Sequence, residues 1–166
     1  LTDRIAAQFK SQKRAPEATT KLVLDEITSN AMFRAPINDH GEFKYQTKHS
    51  EHDILLTHQD IVLDEEDQFT LQFGICDDWI IMCCIDPHGR LTQKEILYRL
   101  HRHLIADNDT GLPAGLHDSH GRGIFLLREQ LSSLVFNIER HRKTEVICLY
   151  NTVAAQAYKN ISIYEI

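Results

Sequence analysis

The stretch Phe69-Thr-Leu-Gln-Phe-Gly-Ile-Cys-Asp-Asp-Trp-Ile-Ile-Met-Cys-Cys-Ile-Asp86 decides the fold. Phe69 to Cys76 alternates with period two, as a strand with one apolar face does. Asp77-Asp78 supplies a turn. Trp79 to Asp86 is then a nearly continuous apolar run, the pattern of a strand that is central or covered on both faces. The stretch therefore predicts an antiparallel hairpin, and the chain must build a sheet around it.

Working outward, helical and strand periods alternate. Leu1 to about Lys13 reads as a short amphipathic helix with Ile5, Ala6 and Phe9 on one side. Pro16 stands where a first-turn proline is tolerated, and the helix it opens runs to about Arg34, stopping before Pro36. Val23, Leu24, Ile27 and Ala31 form its apolar arc. Asn38 to Ser50 is polar and turn-rich, and Asp53 to Thr57 reads as a short edge strand. Beyond the hairpin, Thr92 with Glu95 is a capping box for a helix expected to bury Ile96, Leu97, Leu100 and Leu104. Asp107 to His120 is a glycine-containing loop of the length that tends to carry function. Gly123 to Leu134 has helical spacing, Leu134 to Ile138 and Thr144 to Tyr150 read as a second hairpin, and Asn160 to Glu165 as a last strand. The expectation is an α+β two-layer sandwich, a mixed and mostly antiparallel sheet with helices on one face.

Composition sets the bounds. At 166 residues the chain fits one domain spanning 1–166, large enough for a core without staples. Leu1 rather than Met opens it, so an excised piece of a longer signalling protein is expected. A formal charge of −6 argues against a nucleic-acid partner, and no apolar run is long enough to span a bilayer. Cys76, Cys83, Cys84 and Cys148 sit in strand-like stretches without metal-ligand spacing, which reads as free thiols in a reducing cytoplasm. Among ten histidines, His101 and His103 diverge on a helix, and His117 with His120 has no third ligand nearby. Surface histidines are the simpler account.

Three short motifs carry chemistry. Glu26 and Asn30 are four apart on one helix, so they share a face. An Asn oxygen is a hard neutral ligand suited to Mg²⁺ that is otherwise held by water and phosphate. A carboxylate one turn earlier can act as a general base. A solvated helix-end pair is the bland alternative. Asp86, at the mouth of an apolar strand, can accept a hydrogen bond from an exocyclic amine such as that of adenine, with Gly89 letting the chain pass close to a base. A plain strand-ending turn would use the same residues. Gly121-Arg122-Gly123 opens a helix, where exposed N–H groups favour an anion, and Arg122 with Arg128 adds positive charge. Thr144 opens a strand within reach of the same region.

Four phrases, in this order, resemble the histidine-kinase-like ATPase (GHKL) superfamily. They are Leu24-Asp-Glu-Ile-Thr-Ser-Asn-Ala31, Ile85-Asp-Pro-His-Gly-Arg-Leu91, Gly121-Arg-Gly-Ile-Phe-Leu-Leu127 and Thr144-Glu-Val-Ile-Cys-Leu149. The likeness covers about Glu17 to Tyr150 and is closest to the anti-sigma-factor-like serine/threonine protein kinases. Asn30 through Ala35-Pro36-Ile37 to Tyr45 is similar to bacterial members that sit beside response-regulator domains. The resemblance implies ATP and Mg²⁺ as ligands, Glu26 as catalytic base, and Asn30 as the magnesium ligand. It further implies Asp86 at adenine, Gly121, Arg122 and Gly123 at the phosphates, and Thr144 supporting the base.

The same resemblance implies a partner-switching pathway. The substrate would be a small STAS-type antagonist protein, with a sigma factor or a response-regulator domain as a second partner, and a homodimer is a further expectation. His88 and Arg90 stand where the family usually has glycines, with Gly89 between them, and bulk there would narrow the base site. The alternative is a degenerate ATPase-like domain that binds a partner without transferring phosphate.

Overall fold

The hairpin forms where the alternation puts it. β1 (Thr70–Cys76) and β2 (Trp79–Asp86) pair antiparallel, from Thr70 opposite Ile85 to Cys76 opposite Trp79. Asp77 makes the turn with φ of 51°, in the left-handed region that Asp enters more readily than most residues. This computed structural model describes residues 1–11, 16–45, 61–102, 104–105, 123–153 and 159–166. Within them, β3 (Ser133–Glu139) and β4 (Lys143–Asn151) form the second hairpin, and β5 (Asn160–Glu165) runs parallel to β3. The order β1-β2-β4-β3-β5 gives a five-stranded mixed sheet in an α+β chain.

Register decides which side chains meet, because residues directly opposite each other share a face. Met82 of β2 stands opposite Cys148 of β4, and Cys148 opposite Leu134 of β3. Cys84, Val146 and Phe136 make the next row. Onto this face pack Ile5 and Phe9 of α1 (Thr2–Ser11), and Val23, Leu24, Ile27 and Ala31 of α2 (Glu17–Phe33). Ile96 of α3 (Gln93–Arg102) and Ile124 with Leu127 of α4 (Gly123–Gln130) complete the core. Each such Leu, Ile or Phe adds about 1.5–3 kcal/mol when fully buried.

α2 follows its sequence signals closely. Pro16 is its N-cap with φ −60°, and the buried Thr20 hydroxyl donates to the Pro16 carbonyl at 3.2 Å. The helix ends as the Arg34 N–H donates to the Asn30 carbonyl at 3.0 Å, two residues before Pro36. α1 lays Ile5, Ala6 and Phe9 against α2 and the sheet, and the Phe9 ring meets Phe73 edge-on at 5.9 Å. Its apolar face is covered within the chain, so a homodimer would need another surface.

Several local expectations are corrected. Thr92 caps α3, its Oγ1 accepting from the Glu95 N–H at 3.1 Å, but the Glu95 carboxylate pairs with Arg99 instead of closing the box. α3 buries Ile96 and partly Leu100, whereas Leu97 is 50% and Leu104 69% exposed. Leu104 lies beyond the end of α3 at Arg102, and a ten-residue helix that grips the core at Ile96 leaves Leu97 toward solvent. α4 stops at Gln130 rather than Leu134, because Leu134 is needed as an inward residue of β3. The expected edge strand Asp53–Thr57 and the loop Asp107–His120 lie outside the described residues. Among those described, no helix is long and apolar enough to cross a membrane.

Gly89 is held by the second hairpin. Its φ is +58°, and its carbonyl accepts from the His141 N–H at 3.0 Å. A β-carbon there would lie 2.7 Å from the backbone nitrogens of Arg142 and Lys143 and closer still to the Glu139 carbonyl. Gly89→Ala therefore combines backbone strain with a clash against main chain, and should cost roughly 2 kcal/mol or more in urea unfolding. A loss under about 0.5 kcal/mol, the level of an ordinary surface substitution, would contradict this close approach.

Candidate functional site

A cavity of about 280 Å³ opens between α2, α3, α4 and the sheet, just under the roughly 300–1,000 Å³ typical of ligand pockets. Its floor is apolar: Cys84, Phe136 and Val146 from the strands, Ile27 and Ala31 from α2, Ile124 and Leu127 from α4. Asn30, Asp86 and Thr144 all line it. These three expected site residues lie on α2, β2 and β4, and the β2–β4 register sets Asp86 directly opposite Thr144.

Asp86 is 8% exposed. Its Oδ1 accepts from the backbone N–H groups of His88 at 2.9 Å and Gly89 at 3.3 Å. Burial pushes its carboxyl above the ordinary value, against the pull of those two N–H groups and of the Thr144 hydroxyl. The Thr144 hydroxyl, 2% exposed, is near enough to act on that charge but makes no hydrogen bond of full geometry. A buried, unpartnered hydroxyl beside a buried carboxylate in a cavity wall suits a ligand carrying both donor and acceptor, as an aminopurine edge does.

Asn30 Nδ2 donates to Glu26 Oε1 at 2.7 Å and to the Glu26 carbonyl at 2.9 Å. Two acceptors on one side fix which end of the amide is nitrogen. Oδ1 is left as the free end of a side chain that lines the cavity, the kind of oxygen Mg²⁺ takes. Glu26 itself does not line the cavity. Its carboxylate lies against Gly123, where a β-carbon would fall onto Oε1. Gly123 thus brings the first residue of α4 against the Glu26 carboxylate, a favourable partner for the positive end of that helix. Gly121 and Arg122 lie outside the described residues.

Gly89 does not line the cavity, so its glycine requirement is the close approach of the β3–β4 turn and not that of a base. His88 turns its ring toward Asp67 and away from the cavity; of the two bulky residues in the glycine positions, only Arg90 reaches the lining.

The sequence reading missed most of the positive charge. Arg34, Arg90 and Arg99 line the cavity, whereas Arg128 does not. Burial lowers the Arg34 pKa, and the nearby Arg99 guanidinium lowers it further, while Glu26 and Glu95 act the other way. Arg34 follows Asn30 by four residues, as Asn30 follows Glu26, so helical spacing could have found it. Arg99 could not be found so, because it lies on α3 and comes near Arg34 only across the cavity of the folded chain. Arg99 is paired with Glu95, so Arg34 and Arg90 are the lining guanidiniums best placed to meet an anion. Ile37, Gly41 and Phe43 form the remaining wall, with the Phe43 ring 5.1 Å from the Arg34 guanidinium carbon.

No protein-family model, no curated protein and no solved structure matches this chain.

Asp86 yields a pH prediction. Its folded-state pKa is raised above the ordinary 3.8, so the native state takes up the proton more readily than the unfolded chain. Burying the charge therefore costs stability that appears as pH rises from 3.8 through the raised value. Asp86→Asn keeps an acceptor for both N–H groups and removes the charge. At pH 7 its thermal midpoint should equal or exceed the parent's, with any gain shrinking as pH falls through that window. A variant less stable than the parent at pH 7 would mean that the charge itself holds the turn.

Proposed function

We propose that the chain binds ATP with Mg²⁺ in this cavity and transfers the γ-phosphoryl group to a serine or threonine of a separate protein. The observation that carries the reading is the convergence of Asn30, Asp86 and Thr144 on one apolar cavity flanked by arginines. Helices packed on one face of a mixed sheet support the two-layer sandwich of the histidine-kinase-like ATPases. The four motifs of that family support the anti-sigma-factor type of kinase, with a STAS-type antagonist as substrate in a partner-switching pathway.

The division of labour follows from the residues. Asp86 and Thr144 hold the amine edge of the base. Arg34 and Arg90 of the cavity lining stabilise the phosphates, whereas Gly123 meets Glu26 and does not line the cavity. Asn30 would hold Mg²⁺ through its amide oxygen, and the ion would supply positive charge to the phosphates. Glu26 keeps the Asn30 amide oriented and, once turned toward the cavity, accepts the proton of the attacking hydroxyl.

One observation favours a second reading. The Glu26 carboxylate is engaged by Asn30 and abuts Gly123 outside the cavity lining, as a purely structural residue would. On that reading the domain is a degenerate module that binds a protein partner, with or without nucleotide, and transfers nothing.

Calorimetric titration separates the parts. The parent should bind Mg-ATP, and Asn30→Ala should lose the magnesium dependence while retaining adenosine. Absence of binding at millimolar Mg-ATP would remove the kinase reading. General-base catalysis contributes about 10²–10⁴-fold, so Glu26→Gln should lower phosphotransfer to the antagonist by that factor with nucleotide affinity little changed. Transfer at the parent rate would strip Glu26 of the catalytic role.

A further inference from the structure

Asp67 is charged in form yet only 2% exposed. It closes the short 3-10 turn Glu65–Asp67 ahead of β1. Its Oδ2 accepts from Lys44 Nζ at 2.6 Å and from the Tyr45 hydroxyl at 2.6 Å. Its Oδ1 lies 3.0 Å from His88 Nε2, at an angle short of a full hydrogen bond, so that contact is electrostatic proximity. Burial pushes the Asp67 carboxyl up, but the hydrogen bonds from Lys44 and Tyr45 outweigh it and leave the group below its ordinary value. Lys44 also reaches Asp64 at 2.7 Å and Glu66 at 3.2 Å. Lys44 thus engages all three carboxylates of this acidic cluster and balances part of their charge.

The partners of Asp67 lead to two walls of the cavity. Lys44 and Tyr45 follow a strap in which Ile37 bridges Phe43, closed by the Asn38 N–H to the Glu42 carbonyl and the Gly41 N–H to the Asn38 carbonyl, both at 2.9 Å. The Lys44 N–H returns to the Pro36 carbonyl at 3.1 Å. Ile37, Gly41 and Phe43 of this strap line the cavity. On the other side, the His88 backbone N–H donates to Asp86 Oδ1. One carboxylate thus touches both the strap and the turn that aims Asp86. A buried charge is costly unless its partners are in place, so this arrangement tolerates little relative movement of the two walls.

We propose that Asp67 is a positioning residue of the cavity: its contacts with Lys44, Tyr45 and His88 hold the Ile37–Phe43 strap against the Asp86 turn, and affinity for a ligand at the Asp86 end depends on them. The identity of that ligand rests on the nucleotide reading, but the coupling of the two walls does not. His88, which stands where the resemblance expects glycine, then has a use: it offers the turn a side chain for Asp67 to face.

The experiment compares the parent with Asp67→Asn and the milder Tyr45→Phe, in the full chain. Hydrogen exchange is followed at the Gly41 and Lys44 amides, both hydrogen-bonded at the strap, with β2 and β4 amides as the control for global stability. Adenosine and Mg-ATP are titrated by calorimetry. Access to the cavity is read by the reaction rate of Cys84, which lines it, with a small thiol reagent in a Cys76→Ser, Cys83→Ser background, since Cys76 is exposed and Cys83 is less covered than Cys84.

In the variants the strap amides should exchange about tenfold faster while β2 and β4 are unchanged. Adenosine and Mg-ATP should weaken by a common factor of about ten, and Cys84 should react correspondingly faster. Unchanged strap exchange in folded Asp67→Asn and Tyr45→Phe overturns the proposal, as does faster exchange with full adenosine affinity. If the parent binds neither adenosine nor Mg-ATP, the nucleotide reading fails, and the Cys84 rate alone decides: faster in the variants upholds the positioning role, and unchanged removes it.

Discussion

β2 and β4 pair so that Asp86 faces Thr144 across the ladder, and the cavity depends on that register. A strand carries its side chains with period two, so a slip of one residue would turn Asp86, Cys84 and Met82 away from the helices together. The slip is opposed by the core itself. Ile80, Met82 and Cys84 are buried on the helix side, with Cys148, Leu134 and Phe136 beside them. The apolar packing that stabilises the sheet is therefore what sets a carboxylate and a hydroxyl side by side in a wall that water scarcely reaches. Stability and binding chemistry share one constraint.

Charge is distributed against the protein's overall balance. The chain carries −6, yet Arg34, Arg90 and Arg99 collect around one cavity. Glu95 and Arg99 offset each other as an ion pair, and burial pushes the Asp86 carboxyl up, so the local positive charge is that of Arg34 and Arg90. Inside a poorly solvated cleft the local set of charges outweighs the distant excess, because water screens the latter within a Debye length of about 10 Å at 0.1 M salt. A phosphate ligand is compatible with an acidic protein on these terms.

Glu26 and Gly123 show how one contact supports two interpretations. The glycine is required because the carboxylate occupies the space a side chain would take. That contact joins α2 to α4, and the same carboxylate orients Asn30. The residue is thus structural in the arrangement seen, and the proposed proton-accepting role requires it to rotate toward the cavity. The Asn30 amide, in contrast, has one orientation that satisfies Glu26, and that orientation leaves its oxygen for a ligand.

By itself the sequence determined where most of the described elements lie and which faces of α1 and α2 are apolar. Period-two and period-3.6 patterns are local consequences of backbone geometry, so the Phe69–Asp86 hairpin, the apolar arc of α2 and the final strand could be read directly. Asn30, Asp86 and Thr144 could be named as candidates because strand ends and helix spacing are local too. Tertiary structure decided what no local pattern encodes. It ended α4 at Gln130, left Leu97 and Leu104 exposed, and assigned Gly89 to a backbone contact with a hairpin some fifty residues on. It brought Arg99 near Arg34 and gathered Lys44, Tyr45 and His88 around Asp67. The physical reason is one throughout: periodicity fixes which way a side chain points from its own element, whereas what it meets there depends on how distant elements pack.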